Sequence, residues 1–206
     1  MSRGRLITIE GLDGAGKTTL VARLSTALQE RGRPVVVLRE PGGVELSERI
    51  RDLVKDPAMT ISPQAEALLF AAARAQLVAE QLQPLLAAGQ WVLLDRFVDS
   101  SLAYQGAGRG LGIEAIRELN AFATGGLSPD RTLLLRIAPS AGLARVATRP
   151  EETDRLEREA GSFLQAVAVA YDDLAAAEPE RIAVIDATLA PDAVLADAFA
   201  AVEPLL

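Results

Sequence analysis

Residues 11–18, GLDGAGKT, match the pattern G-x-x-x-x-G-K-[ST], which binds phosphate groups. Its glycines let backbone N–H groups turn inward around phosphate oxygens, and the helix expected after the loop adds the positive end of its dipole. Lys17 is placed to reach the β- and γ-phosphates, and the hydroxyl of Thr18 suits Mg²⁺. ATP or GTP is therefore the expected ligand, and its expected contacts are Gly11, Leu12, Asp13, Gly14, Ala15, Gly16, Lys17, Thr18 and Thr19.

A second chemical pair, Asp95-Arg96, follows the apolar run WVLLD at residues 91–95. An acid at the carboxyl end of a buried strand lies beside the phosphate loop in an α/β fold, where such folds bind ligands. A guanidinium group is the natural partner of a phosphate. The pair thus predicts a second anion site next to the loop. A solvated turn is the alternative.

The elements that must position these residues alternate along the chain. Apolar runs predict five strands, and helical patterns fill the gaps; the strands are expected at 5–10, 34–39, 91–95, 131–137 and 181–186. Nearly continuous apolar strands that alternate with helices indicate a parallel sheet covered on both faces. A long helix is expected to begin at Ser62-Pro63 and to kink at Pro84. One domain, 1–206, is expected.

Composition narrows the function. The chain of 206 residues has no cysteine and no histidine, which excludes thiol catalysis, Ser-His-Asp catalysis and the usual zinc sites. A net charge of −7 gives no support for a basic face, so no nucleic-acid polymer is expected as a partner. No apolar run is long enough for a membrane span, and the first residues leave no room for a secretory signal, so we expect no membrane partner and a cytoplasmic protein.

Two further features favour a kinase of small molecules. A regulatory GTPase normally carries an Asn-Lys-x-Asp guanine reader, and this chain has a single asparagine, Asn120, in LNAF. Residues 145–158, RVATRPEETDRLER, are almost all polar or charged and lie between two helical patterns. Such a stretch is expected to form a solvated flap that can act as a lid over a bound nucleotide.

Several motifs together resemble one family. The stretch LLDRFVDSSLAYQGAGRGLG at 93–112, with REPGG at 39–43, LLFAAAR at 68–74 and GLDGAGKTT, is similar to the thymidylate kinases of bacteria. The resemblance runs from Leu6 to about Leu174, and VIDAT at 184–188 extends it. It implies a three-layer P-loop NTPase fold with a short lid at about 145–158. It also implies transfer of phosphate from ATP to dTMP with Mg²⁺, giving dTDP, and a homodimer.

The resemblance also assigns roles to individual residues. Asp95 and Thr18 would serve Mg²⁺, and Arg96 would grip the phosphate of dTMP. Phe70 would stack on the thymine ring, while Arg74, one helical turn later, would donate to a thymine carbonyl; a core phenylalanine and a surface arginine are the plain alternative. The remaining dTMP contacts that it implies are Asp13, Arg39, Arg51, Ser100, Tyr104 and Gln105, of which Arg51 could equally lie on a solvated helix face.

In the family, Tyr104 packs where a 2′-hydroxyl would lie and Gln105 reads the base. The Asp13 carboxylate points at the 3′-hydroxyl of the acceptor, which explains an acid inside a phosphate loop. Some relatives carry a catalytic arginine at the loop position occupied here by Gly14. Arg145 and Arg149 of the lid are therefore expected to stabilise the transferring phosphate together with Lys17 and Asp95, and Arg145 could instead lie along the adenine. Solubilising surface charges are the alternative for both arginines.

Two rival functions remain at this stage. A deoxynucleoside kinase shares the Asp-Arg pair after the third strand, and it would phosphorylate thymidine rather than dTMP. A nucleotide-binding regulator would hold ATP and signal through the flap without turnover. Phosphate transfer to dTMP, measured against thymidine and against no acceptor, distinguishes all three.

Overall fold

The computed structural model describes residues 3–148, 154–156, 158–159 and 161–206. Five parallel strands form one sheet in the order β2-β3-β1-β4-β5; they are β1 (Leu6–Gly11), β2 (Val35–Arg39), β3 (Trp91–Asp95), β4 (Arg131–Arg136) and β5 (Ile182–Asp186). All five strands predicted from the sequence are present, each within one residue of its expected ends. The predicted fold class is confirmed.

Alternate residues of the central strands pack into separate clusters on the two faces of the sheet. In β3, Leu93 belongs to one cluster, whereas Val92 and Leu94 belong to the other. All three side chains are fully buried. A strand that is apolar on both faces must be covered by helices on both faces, which is what gives this fold its three layers.

Nine α-helices surround the sheet in the described part of the chain. They are α1 (Lys17–Glu30), α2 (Glu45–Lys55), α3 (Pro63–Leu77), α4 (Gln83–Ala87), α5 (Val98–Ser101), α6 (Ile113–Thr124), α7 (Pro139–Val146), α8 (Gly161–Ala177) and α9 (Pro191–Val202). A short 3₁₀ turn, Glu203–Leu205, follows α9. In the described residues no helix is both long and apolar enough to cross a lipid bilayer.

Two π-helical segments interrupt the regular helices. Val78–Leu82 joins α3 to α4, and Leu102–Gly108 follows α5. The first ends two residues before Pro84, where the sequence predicts a kink. The helical run continues through this point, and the turn before the proline is widened into a π-helix. The second carries Tyr104 and Gln105. The helix start at Ser62 is confirmed, because the Ser62 hydroxyl accepts a hydrogen bond from Ala65 N at 3.3 Å.

Candidate active site

The phosphate loop connects the end of β1 to the first residue of α1. Lys17 is buried, and its ammonium group donates to the carbonyls of Gly11 at 3.1 Å and Leu12 at 2.9 Å. Gly16 takes a left-handed conformation with φ 96°, which a residue with a side chain would rarely adopt. Burial, followed by the nearby Arg96, lowers the pKa of Lys17. The loop therefore presents a positive group together with the N-terminus of α1.

One carboxylate joins the loop to the turn after β3. Asp13 Oδ1 accepts from Arg96 Nη2 at 2.7 Å and lies 3.5 Å from Lys17 Nζ. Burial by itself raises the pKa of Asp13, but Arg96 and Lys17 outweigh it, and the pKa falls well below its usual value. Asp13 is therefore ionised at neutral pH, and both of its partners carry positive charge.

The backbone at Arg96 is held in an unusual conformation. With φ 70°, Arg96 is the only non-glycine residue with positive φ in the described part of the chain. Its N–H donates to Ile9 O at 3.0 Å, and its guanidinium donates to Ser100 Oγ at 3.1 Å and lies 5.1 Å from the centre of the Tyr104 ring. Strain of this kind is found where neighbouring structure fixes a functional side chain.

Glu10, which the sequence analysis missed, holds this turn from below. Its buried carboxylate accepts from Phe97 N at 2.7 Å, Ser100 Oγ at 2.5 Å and the Tyr171 hydroxyl at 3.0 Å. Burial, reinforced by the negative charge of Asp99, raises the pKa of Glu10 to about 7. The sequence does offer a signal for Glu10, because it is a charged residue at the end of an otherwise apolar strand. The glycine-rich motif that begins at the next residue draws attention away from it.

Asp95 has the chemistry of a magnesium ligand. It is the last residue of β3, which pairs with β1 on one side and β2 on the other. Its Oδ1 is buried and has no hydrogen-bond partner in the described structure. A buried carboxylate oxygen without a donor suits a hard cation. No three acids cluster into a protein-only metal site among the described residues. Mg²⁺ takes one or two protein oxygens and completes its shell with phosphates and water.

A cavity of about 880 Å³ lies along the carboxyl edge of the sheet. It brings together all the predicted acceptor contacts with part of the phosphate loop. Its wall includes Asp13, Lys17, Thr18, Arg39, Arg51, Phe70, Arg74, Asp95, Arg96, Ser100, Tyr104 and Gln105, together with Gly14, Gly16 and Thr19. The side chains of Leu12 and Ala15 pack instead into the core beneath the loop, so only their backbone can face a phosphate. Gly11 and Leu12 border a second hollow beside β4.

Phe70 and Arg74, both on α3, are buried in the opposite order from the plain alternative. Arg74 is buried, only 2% exposed, whereas Phe70 is half-buried and borders the cavity. The Arg74 guanidinium donates to Glu40 at 2.7 Å, Ser101 at 2.9 Å and Phe97 O at 3.0 Å, and also to the side chain of Asn120. A core phenylalanine with a surface arginine is therefore wrong, and the buried guanidinium has the carboxylate of Glu40 as its ion-pair partner.

Two more arginines border the cavity. Arg39 is exposed and donates twice to the carboxylate of Glu48, at 3.0 Å each. Arg51 is partly buried and donates to Pro41 O at 2.9 Å. Its place on the cavity wall argues against an ordinary solvated helix face. With Arg96, they give the cavity three guanidinium groups that could bind an acceptor phosphate.

Arg145 lies apart, on the outer side of the phosphate loop. Its guanidinium donates to Ala187 O at 3.1 Å and to Gly14 O at 3.3 Å. A side chain at Gly14 would force the loop or α7 to shift, because its Cβ would lie 2.3 Å from Gly142 O. The packing of the loop on α7 thus explains why this chain has no arginine at that position. Arg149, the other predicted lid arginine, lies outside the described residues.

Glu66 of α3 is a second buried acid that the sequence analysis missed. It is fully buried, and it accepts hydrogen bonds from Gln105 at 2.9 Å, Arg109 at 3.0 Å and Arg155 at 2.6 Å. In sequence it reads as an ordinary acid in the first turn of a helix, where acids are common. Nothing local shows that two arginines from distant segments converge on it.

A parallel sheet with a phosphate loop after β1, and an acid–arginine pair after β3 that faces the loop, defines a P-loop phosphotransferase. A family model described as "Thymidylate kinase" matches residues 9–198. The thymidylate kinase of Deinococcus radiodurans is 51% identical over 202 residues, which cover 98% of each chain. That of Lactobacillus delbrueckii subsp. bulgaricus is 49% identical over 189 residues, 90% of this chain and 89% of the other.

The fold agrees with a solved structure. The crystal structure of thymidylate kinase from Ehrlichia chaffeensis matches with a TM-score of 0.79 and 29% identity, covering 98% of this chain and 99% of that one. The chain belongs to the thymidylate kinase family, and it is a nucleoside monophosphate kinase. The resemblance seen in the sequence motifs is confirmed.

Proposed function

We propose that this enzyme transfers the γ-phosphoryl group of ATP to dTMP, giving ADP and dTDP, with Mg²⁺ as the metal. One observation carries the proposal: a single ionised carboxylate, Asp13, lies 2.7 Å from Arg96 and 3.5 Å from Lys17. The loop lysine belongs to a donor-phosphate site, and the arginine suits an acceptor phosphate. The two sites therefore meet at one point of the cavity.

On the donor side, backbone N–H groups of the loop and the N-terminus of α1 receive the phosphates, and Lys17 supplies positive charge. Thr18 and Asp95 would hold Mg²⁺, which neutralises phosphate charge when bound. Arg145 lies against the loop and the Ala187 carbonyl, on the outer side of the cradle. That place favours a contact with the adenosine part of ATP.

On the acceptor side, Ser100 and Asp13 orient Arg96, which would bind the dTMP phosphate; Arg39 and Arg51 border the same cavity. Phe70 offers the half-buried aromatic face on which the base would stack, a contact worth about 1–3 kcal/mol. We assign reading of the base edge to the polar groups beyond it, Arg74 and Gln105.

The sugar would lie between two side chains. Tyr104 is nearly fully buried and packs edge-to-face on Phe163 and Tyr171, so its ring cannot swing aside to admit a 2′-hydroxyl. Asp13 would accept a hydrogen bond from the 3′-hydroxyl, because an ionised carboxylate only accepts.

In the reaction, an oxygen of the dTMP phosphate forms a bond to the γ-phosphorus as the bond from that phosphorus to the ADP oxygen breaks. The acceptor oxygen is already anionic, so no side chain has to remove a proton. The protein contributes positioning and positive charge around the three γ-phosphate oxygens. Lys17 is one source of that charge, and Arg149 is proposed as another from the lid.

We further propose a homodimer that works in the cytoplasm, with ATP and dTMP as its small-molecule partners and no nucleic-acid polymer. The chain is proposed to act as one domain, 1–206. Membership of the thymidylate kinase family supports these statements.

The test is a coupled assay of ADP release with dTMP, dUMP, thymidine or no acceptor. Release is expected with dTMP and not with thymidine, and Lys17→Met, which keeps the buried stem, should nearly abolish it without changing the melting curve. Preferred use of thymidine would instead indicate a deoxynucleoside kinase. ATP binding without acceptor-dependent turnover would indicate a nucleotide-binding regulator.

A further inference from the structure

The carboxylate of Glu66 is bonded from two sides. Gln105 Nε2 at 2.9 Å and Arg109 Nε at 3.1 Å donate to Oε1. Arg109 Nη2 at 3.0 Å and Arg155 Nη2 at 2.6 Å donate to Oε2. Each oxygen therefore receives two donors, and of the four only the amide of Gln105 could be reversed to present an acceptor.

Glu66 is ionised in this setting. Burial by itself raises its pKa, but the hydrogen bonds from Arg109, Gln105 and Arg155 outweigh burial, and the pKa is lowered. An ionised carboxylate can only accept hydrogen bonds. The NH₂ group of Gln105 must therefore face Glu66, and the carbonyl oxygen of its amide must face away.

With the NH₂ group bound to Glu66, the carbonyl oxygen is the polar atom of the amide that is left to face the acceptor cavity. Gln105 borders the cavity, and no donor from the described residues bonds its Oε1. Arg74 also borders the cavity, and its four described bonds leave one N–H of Nη2 unused. This wall thus offers one acceptor and one donor to a base stacked on Phe70.

We propose that Glu66 is a positioning residue that selects the base: it fixes the Gln105 amide with its oxygen toward the ligand. This inference rests on the proposed function. A base with a donor at N3 and a carbonyl at C4, thymine or uracil, complements the wall. Cytosine presents an acceptor at N3 and an amino group at C4, so it meets the wrong partner at both positions.

An isosteric change at position 66 gives a directional prediction. In Glu66→Gln, the new NH₂ group avoids the Oε2 site, where two arginine N–H groups converge and cannot turn. It is placed at the Oε1 site, where only one arginine N–H, that of Arg109 Nε, donates and the other donor is the reversible amide of Gln105. Two NH₂ groups cannot bond each other, so the Gln105 amide turns over and presents NH₂ to the ligand. The wall then favours an acceptor at N3.

The experiment compares kcat/KM for dTMP and for dCMP in wild type and Glu66→Gln. We expect the dTMP to dCMP ratio to fall about tenfold or more, the cost of leaving a buried donor or acceptor without its partner. Glu159→Gln is the matched control, because Glu159 pairs with the same Arg109 at 2.6 Å, whereas the amide of Gln105 donates to Glu66. Its ratio is expected to stay at the wild-type value. Loss of the ratio in both variants, or in neither, overturns the proposal.

A second variant covers the case in which Glu66→Gln does not fold. Gln105→Met removes the amide without disturbing the ion pairs of Glu66, and it should lower the same ratio; an unchanged ratio overturns the proposal. Where both variants fold, Glu66→Gln in the Gln105→Met background should have no further effect on the ratio.

Failure of the inference and failure of the proposed function are distinguishable. If wild type transfers no phosphate to dTMP, the proposed function is wrong. If wild type uses dTMP well and Glu66→Gln keeps its full preference over dCMP, only the role of Glu66 is wrong.

Discussion

The sharpest test of the site is Asp13→Asn, which keeps the shape of the side chain and removes its charge. Asp13 Oδ1 lies 2.7 Å from Arg96 Nη2 and 3.5 Å from Lys17 Nζ, and its pKa is lowered well below its usual value. The carboxylate is therefore charged at any assay pH near neutrality. If it also accepts from the 3′-hydroxyl of dTMP, the substitution weakens a charge-assisted hydrogen bond.

The expected loss follows from the strength of such a bond, about 1.5–3 kcal/mol, or roughly ten- to a hundredfold in kcat/KM. The effect on stability should be much smaller. Asp13 is 32% exposed, and ion pairs with this much solvent contact contribute about 1 kcal/mol or less. A large loss of activity with a nearly native melting curve is therefore the expected combination.

The assay compares kcat/KM for dTMP and for its 3′-deoxy analogue, in wild type and in Asp13→Asn, at two Mg²⁺ concentrations. The loss should fall mainly on dTMP, because the analogue has no hydroxyl to lose. Glu48→Gln is the matched control, since Glu48 pairs with Arg39 at 3.0 Å and borders the same cavity. The control should affect both acceptors equally.

Two results would refute the reasoning. An equal loss on both acceptors, with the effect absent in an Arg96→Lys background, would mean that Asp13 acts only by aiming Arg96. Recovery of activity at high Mg²⁺ would mean that Asp13 serves the metal.

Three further predictions follow from the same geometry. Tyr104→Ala should raise kcat/KM for a ribonucleotide acceptor relative to kcat/KM for dTMP, whereas Tyr104→Phe should change that ratio little. If the two variants have equal ratios, the ring of Tyr104 is not the barrier to a 2′-hydroxyl. Arg145→Ala should raise KM for ATP about tenfold with a smaller change in kcat, since its bonds place it outside the acceptor cavity; the reverse split would place it at the transferring phosphate. The pKa of Glu10 is about 7 in the folded protein, against 4.5 in the unfolded chain. Between pH 4.5 and 7 the folded state therefore binds more protons than the unfolded state, so the free energy of unfolding should fall by roughly 3 kcal/mol over this range. Denaturant unfolding of Glu10→Gln should show a smaller fall, and an identical pH slope would contradict the assignment.

The local pattern of the sequence was sufficient for the scaffold. The five strands follow from short apolar runs, and the phosphate loop follows from glycine spacing between a strand and a helix. Phosphate binding at this loop depends on the backbone of consecutive residues, so a contiguous motif contains the information. The same holds for the helix start at Ser62, where the cap and its partner are three residues apart.

The motifs also predicted which residues contact the acceptor, but they did not predict the burial or the hydrogen-bond partners of each one. Phe70 and Arg74 are one turn apart on α3, and periodicity alone favoured a core aromatic and a surface charge. The structure has the opposite arrangement, because Glu40 and Asn120, from segments 34 and 46 residues away, supply partners for a buried guanidinium. Burial of a charge is decided by its partners, and these are not local.

Only the tertiary structure showed which arginine each acid of the site meets, and only it identified Glu10 and Glu66. Arg96 meets Asp13 across 83 residues, and Arg155 meets Glu66 across 89. The sequence by itself determined that the chain would form a parallel sheet with a phosphate loop, since those features depend on neighbours in the chain. Which carboxylate meets which arginine was decided by the packing of helices over the sheet, because a buried carboxylate can remain charged only where folding brings donors to it.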